Sequence, residues 1–237
     1  MAETEQSEFR MAVYQLDEEL WFPDPHEGEE DGLVAVGGDL SVNRLLLAYS
    51  YGFFPWYAFG RSEPMWYCPQ ERYVIFPEEI HISHSMHQLL RQQKYVVTMN
   101  RDFAGVIQGC STVNGRNQED GAWLGPDIIK AYTELHRQGY ASSVEVWEPQ
   151  EASTTQSDMK LVGGLYGVTI LNAFFGESMF SRVPNASKLA LIILARAMTA
   201  SGWLFIDCQF HTSLFQSMGG RYIPYDDYMQ ILKSQRR

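Results

Sequence analysis

Three alternating segments constrain this chain most. SSVEVWE (142–148), KLVGGLYGVTI (160–170) and NAFFGESMF (172–180) are rich in β-branched and aromatic residues and read as consecutive strands. An apolar helix pattern follows in NASKLALIILARAMTASG, and then WLFIDCQF (203–210), which predicts a further strand. SLFQSMGG, RYIP and YDDYMQILKSQ predict a short helix, a strand and a last helix. The order strand, strand, strand, helix, strand, helix, strand implies an α+β (mixed α/β) fold with helices packed on one sheet. Within WLFIDCQF, strict alternation places Trp203, Phe205, Asp207 and Gln209 on one face and Leu204, Ile206, Cys208 and Phe210 on the other. An acid and an amide thus end the face that begins with two rings.

The first half is less regular. GGDLSVNRLLLAYSYG predicts a turn and a helix capped by Asp39 or Ser41 and ended by Gly52. Aromatic and proline residues crowd FFPWYAFGRSEPMWYCPQERYVIF, where core packing under a loop competes with a pocket for a flat ligand. ISHSMHQLLRQQ predicts a helix capped by Ser83, YVVTMN a strand, and RDFAGVIQGC and PDIIKAYTELHRQG two helices. PQEASTTQSDM (149–159) reads as a long hairpin loop. The expected division is a small unit over 1–80, with an acidic leader, and a larger one over 81–237.

Charge excludes less than its total suggests. The net charge is −11, but residues 1–31 hold eleven acids and one base, leaving a body near −1. An anionic ligand is therefore compatible with the body. Cys68, Cys110 and Cys208 are widely spaced and form no C-x-x-C, which argues against a disulfide framework or zinc site and for a reducing cytosol. His81, His84 and His87 are three apart, which is not a zinc-ligand pattern, so no metal is expected. The polar, acidic start is unlike a secretory leader, and no apolar run reaches membrane-spanning length.

Several residues stand out against their surroundings. Glu177 lies in an apolar strand between Phe175 and Met179, where a lone carboxylate needs a partner, solvent or a ligand. Asp207 poses the same problem, and two such acids on neighbouring strands would suit a cationic or amine-bearing substrate. Gly163, Gly164 and Gly167 mark either a bulge or a close approach by backbone or ligand. SRVPNASK leads into a helix N-terminus, with ordinary capping by Asn185 or Ser187 the competing reading to anion binding. No G-x-S-x-G, H-E-x-x-H or Walker loop occurs.

In their order, the segments FPDP, GLVAVGGDLSVNRLLLAYSYGFFPW, YCPQER, GCS, SVEVW, LVGGLYG, FFGESMFSRVPNASKLAL and IDCQF resemble the leucyl/phenylalanyl-tRNA–protein transferases over residues 22–228. The resemblance implies an acyl-CoA N-acyltransferase-like C-terminal domain beside a small N-terminal domain. It implies an aminoacyltransferase that moves leucine or phenylalanine, or sometimes methionine, from aminoacyl-tRNA to the N-terminal Arg or Lys of acceptor proteins. Those proteins are thereby marked for degradation by the N-end rule pathway. A cytoplasmic monomer without cofactor is implied. Asp207, Gln209 and Glu177 become the catalytic group, with Gln209 orienting the amine, Asp207 supporting Gln209, and Glu177 holding the acceptor or the terminal ribose. Trp56 and Trp123 fall at the terminal adenosine. Leu165, Phe174, Leu191 and Leu194 fall in the apolar pocket for the amino-acid side chain. The sequence departs from the family at Ser142 and Leu214, where a His is common, and at Tyr225 and Asp226, where basic residues are frequent.

Two other readings compete. A CoA-dependent N-acyltransferase on the same fold should carry a Q/R-x-x-G-x-G/A turn, but QSMGGR has Arg221 at its third key position. A non-catalytic tRNA-binding module would not need Asp207, Gln209 and Glu177 together.

Overall fold

The computed structural model describes residues 13–56, 63–112, 125–150 and 159–234. Near the start, β1 (Tyr14–Leu16), β2 (Leu33–Gly37), α1 (Val42–Ser50), β3 (Phe54–Trp56) and β4 (Met65–Tyr67) form a small unit. Its four strands pair in the order β1-β2-β4-β3, a sheet not foreseen in the sequence. Ser41, rather than Asp39, caps α1 by accepting the Arg44 N–H at 3.3 Å. The helix stops where Gly52 takes φ +80°, a conformation that a Cβ makes costly.

The larger unit contains β5 (Glu71–Ile75), α2 (His84–Gln92), β6 (Val96–Met99), α3 (Phe103–Thr112), α4 (Pro126–Arg137), β7 (Ala141–Pro149), β8 (Met159–Ile170) and β9 (Ala173–Ser181). It continues through α5 (Ala186–Ala200), β10 (Ile206–Asp207), α6 (Ser213–Ser217), β11 (Arg221–Pro224) and α7 (Tyr225–Lys233). Seven strands form one sheet in the order β11-β5-β10-β9-β8-β7-β6, and the change of sheet falls between β4 and β5. The α+β class expected from the sequence is the class observed. Ser83 caps α2 as expected, accepting the Met86 N–H.

Each face of the large sheet has its own core. On one face Leu45, Phe103, Ile128 and Tyr228 bring α1, α3, α4 and α7 against Val168 and Phe175. On the other, Leu189, Leu191 and Leu194 of α5 and Met86 of α2 cover Val146, Leu165 and Phe174. The cap of α5 differs from expectation. Asn185 occupies the cap position at φ +68° without a side-chain capping bond, and the Ser181 hydroxyl accepts the Ser187 N–H at 2.9 Å instead. β9 therefore supplies the cap of the helix that packs on it.

Two departures shape the site. The strand expected over 203–210 is only Ile206–Asp207, paired parallel with β9 and antiparallel with β5. Alternation holds from Phe205 to Cys208, but Trp203 packs with the core that holds Ile206, and Leu204 with the core that holds Phe205. Residues 203–205 lie in no strand, and the expected alternation of faces is not kept at Trp203 and Leu204. The second departure is a β-bulge. Tyr166 faces Ser178 in the β8–β9 register and Gly167 faces Gly176, so Glu177 is the extra residue. Phe175 and Phe180 consequently share one core while Met179 packs against the other, so Met179 is not on the Phe175 face as simple alternation requires.

Among the described residues, no helix is long and apolar enough to cross a membrane.

Candidate functional site

A cavity of about 470 Å³ opens where β10 stops and the chain turns away from β9. Its walls combine Phe54, Pro55 and Trp56 of the small unit with residues 165–166, 174, 176–181, 187, 191, 206–210, 212 and 214–215 of the large one. Both units therefore contribute to a single site. The loss of β10 has a local cause: Gln209 adopts φ +62°, a left-handed conformation uncommon outside glycine. Asp207 stabilises it, since Asp207 Oδ1 accepts the Gln209 backbone N–H at 2.8 Å. Such backbone strain persists where its surroundings fix it, and it clusters at functional positions.

Asp207 is fully buried, and so is its partner Arg72 on β5. Asp207 Oδ2 accepts hydrogen bonds from Arg72 Nη2 at 2.5 Å and from the Tyr228 hydroxyl at 2.9 Å. Arg72 also donates to the Gly52 carbonyl at 2.6 Å, and its guanidinium lies between the Phe54 and Tyr228 rings at 5.0 and 4.9 Å. The charge is thus held by an acid, a carbonyl and two ring faces. This arrangement makes Asp207 a buried structural anion that sets the Gln209 backbone. The residue also lines the cavity wall.

Glu177 is nearly buried, and the bulge aims it at α1 and α4. Glu177 Oε1 accepts from the Tyr49 hydroxyl at 2.7 Å and from Gln209 Nε2 at 3.1 Å, and Oε2 accepts from the Tyr132 hydroxyl at 2.9 Å. Burial pushes its pKa up to about 7, against the pull of the two tyrosine hydrogen bonds, while the nearby Asp207 charge adds to the rise. The folded protein therefore holds this proton more tightly than the unfolded chain. Its contribution to stability is full below the ordinary value of 4.5 and is lost as pH rises to about 7.

Of the residues singled out in the sequence, Asp207, Gln209, Glu177, Trp56, Leu165, Phe174 and Leu191 all line the cavity. Trp56 is partly exposed and meets Tyr67 and Phe210 edge-on at ring-centroid distances of 6.3 and 5.8 Å. Leu194 is buried in the α5 core and is not among the lining residues. Trp123 and most of the 149–159 loop lie outside the described residues. The detailed support of Gln209 also differs from expectation: Asp207 holds its backbone, and Glu177 holds its side-chain amide.

Arg72, Tyr228, Tyr49 and Tyr132 were not singled out. Arg72 sits in an apolar strand, which is the signal that drew attention to Glu177. Both Tyr49 and Tyr132 lie on the apolar faces of helices and read there as core. Tyr166 also lines the cavity, yet its buried hydroxyl has no partner among the described residues. An unsatisfied buried hydroxyl costs about 1–3 kcal/mol. Tyr166→Phe is thus expected to raise the melting temperature by roughly 2–4 °C or more, a shift read by calorimetry. Among the described residues, no cluster of three or more His, Cys, Asp or Glu is placed to hold a metal ion. His81 instead meets the Ser217 carbonyl at 2.9 Å.

Comparison with known proteins agrees with this geometry. A family model described as leucyl/phenylalanyl-tRNA protein transferase matches residues 74–233, and a model of that family's N-terminal domain matches residues 38–70. A leucyl/phenylalanyl-tRNA–protein transferase of Syntrophus aciditrophicus is 45% identical over 96% of this chain and 90% of its own length. One from Syntrophobacter fumaroxidans is 46% identical over 94% of this chain and 90% of its own. One from Flavobacterium johnsoniae is 44% identical over 94% of this chain and its entire length. The gap between the two family models, residues 71–73, falls at the start of β5, just past the change of sheet. With both models matched in order and relatives aligned almost end to end, the chain belongs to the leucyl/phenylalanyl-tRNA protein transferase family.

Proposed function

We propose that this cavity is where leucine or phenylalanine, esterified to its tRNA, passes to the amine of an acceptor protein. The chain is an aminoacyltransferase by family. The observation that carries the site assignment is the state of Gln209. Its backbone N–H is tied to Asp207 and its amide N–H to Glu177, which leaves Gln209 Oε1 as the acceptor for an incoming amine at the cavity wall. An aminoacyl ester is already activated, so holding the amine against its carbonyl supplies much of the acceleration, about 7–11 kcal/mol in favourable cases.

The apolar wall of Leu165, Phe174 and Leu191 would receive the leucine or phenylalanine side chain, with Leu194 packed behind it. Such a wall rejects charged side chains strongly and separates large unbranched ones weakly. Trp56, at the rim supplied by the small unit, would stack on the terminal adenosine, with Trp123 as its counterpart. Acceptors with N-terminal Arg or Lys, their delivery to the N-end rule pathway, a monomeric state and a cytoplasmic location complete the proposed role. The proposed division is a small unit over 1–80, which contributes the Trp56 rim, and a catalytic unit over 81–237, into whose sheet β5 also pairs.

The test is incubation with radiolabelled leucyl-tRNA and a peptide beginning with Arg, with a parallel incubation using acetyl-CoA as donor. Label should reach the peptide from tRNA and not from acetyl-CoA. Transfer from acetyl-CoA alone would support an N-acyltransferase and overturn the reading, and transfer from neither would leave a tRNA-binding module.

A further inference from the structure

Behind Glu177 lies a proton count that does not close. Tyr49, Tyr132 and Glu177 make three mutual contacts: Tyr49 to Tyr132 at 2.5 Å, Tyr49 to Glu177 at 2.7 Å, and Tyr132 to Glu177 at 2.9 Å. Each contact needs one hydrogen, and two phenols supply two. With Glu177 ionised, both phenol hydrogens point at the carboxylate, and the two phenol oxygens face each other at 2.5 Å with none between them. With Glu177 protonated, a closed ring forms. The carboxyl donates to Tyr132, Tyr132 to Tyr49, and Tyr49 back to the other carboxyl oxygen. Gln209 Nε2 still donates to Glu177 Oε1. Tyr49 and Tyr132 are fully buried, so bulk water does not reach the contact between their oxygens.

Glu177 also lines the cavity, while Tyr49 and Tyr132 do not. The ring is thus a seat for one proton whose only outlet among these three residues is Glu177. Gln209 cannot take a proton, and the carboxylate of Asp207 is committed to Arg72, Tyr228 and the Gln209 backbone.

We infer that Glu177 is the proton acceptor of the transfer reaction and that Tyr49 and Tyr132 are positioning residues that complete its proton seat. The inference rests on the aminoacyl-transfer reading above. The neutral amine attacks the ester carbonyl, forming the N–C bond. Its surplus proton passes to Glu177, closing the ring. As the C–O bond to the ribose breaks, the same proton goes to the departing ribose oxygen, leaving an amide, a free ribose hydroxyl and an ionised Glu177. Nothing is oxidised, and the carboxylate is regenerated. Its pKa of about 7 lets it both take and return a proton near neutrality. The charged and titratable groups around it are Tyr49, Tyr132, Tyr166 and Asp207, with Arg72 and Tyr228 behind Asp207.

The test is single-turnover transfer from leucyl-tRNA to an Arg-initiated peptide across pH 5.5–9, on wild type, Glu177→Gln, Tyr49→Phe and Tyr132→Phe. The wild-type rate should rise with pH through an ionisation at about 7. Glu177→Gln should lose the component near 7, keeping only the rise set by the acceptor's α-amine at about 7.7–8.0, and about 10²–10⁴-fold in rate, with tRNA affinity within twofold. Each Tyr→Phe change breaks the ring that holds the proton. Each should displace the limb from its wild-type pH, so that the ratio of the rates at pH 6.5 and pH 8.5 changes several-fold. Circular dichroism confirms folding of each variant. A Glu177→Gln rate within tenfold of wild type, or Tyr→Phe profiles that superimpose on wild type, would overturn the proton assignment alone. Failure of the wild-type protein to transfer from tRNA would overturn the reading beneath it.

Discussion

Arg72→Leu is expected to lower folding stability by about 3–5 kcal/mol, the cost of leaving a buried charge without its partner. Asp207 would then hold a fully buried carboxylate with only Tyr228 and the Gln209 N–H as donors. The two rings that flank the guanidinium would also lose their cation. Urea titration followed by tryptophan fluorescence measures the change. The double variant Arg72→Leu/Asp207→Leu should be more stable than either single one, because an apolar pair leaves no orphaned charge. Its transfer activity should not recover, since the anion that fixes Gln209 is gone. A single variant as stable as wild type would mean that this ion pair does not hold the site.

The second large effect concerns the bulge. Gly167→Ala would place a Cβ 2.1 Å from the Phe175 carbonyl oxygen and 2.6 Å from the Phe174 ring. The backbone atom cannot yield, so β8 and β9 must shift at the point where Glu177 is inserted. Overpacking of this kind costs about 1–3 kcal/mol. A displacement near 1 Å at a reacting group costs on the order of 10²-fold in rate. We expect a folded but less stable protein with transfer slowed about 10²-fold or more and tRNA binding retained. Equal losses in binding and transfer would place the defect in the apolar wall rather than at Glu177.

Much of this arrangement is legible from residue pattern. Alternation in 142–180 yields β7, β8 and β9, and the caps at Ser41 and Ser83 follow from local hydrogen bonding. Glu177 and Asp207 stand out because acids in apolar strands demand an explanation. Their grouping with Gln209 came from family resemblance, and the geometry shows both acids meeting that one residue, Asp207 at its backbone N–H and Glu177 at its side-chain amide. What stayed hidden depends on long-range placement. Arg72 reaches Asp207 across 135 positions, and Tyr49 reaches Glu177 across 128. No local periodicity reports such pairs. The bulge was signalled only as an ambiguity in GGLYG, because a glycine permits a bulge without specifying which opposing residue is extra. The brevity of β10 had no signal at all: Gln209 looks like the next strand residue until Asp207 captures its N–H and turns the chain.

The most direct test of the account is single-turnover transfer of leucine from tRNA to an Arg-initiated peptide by Gln209→Ala, with tRNA affinity measured on the same preparation. The account predicts a rate about 10²–10³-fold below wild type and a tRNA Kd within twofold of it, because Gln209 is assigned to hold the amine and not the RNA. A Gln209→Ala protein that transfers at the wild-type rate, or that loses tRNA affinity by the same factor as rate, would contradict it.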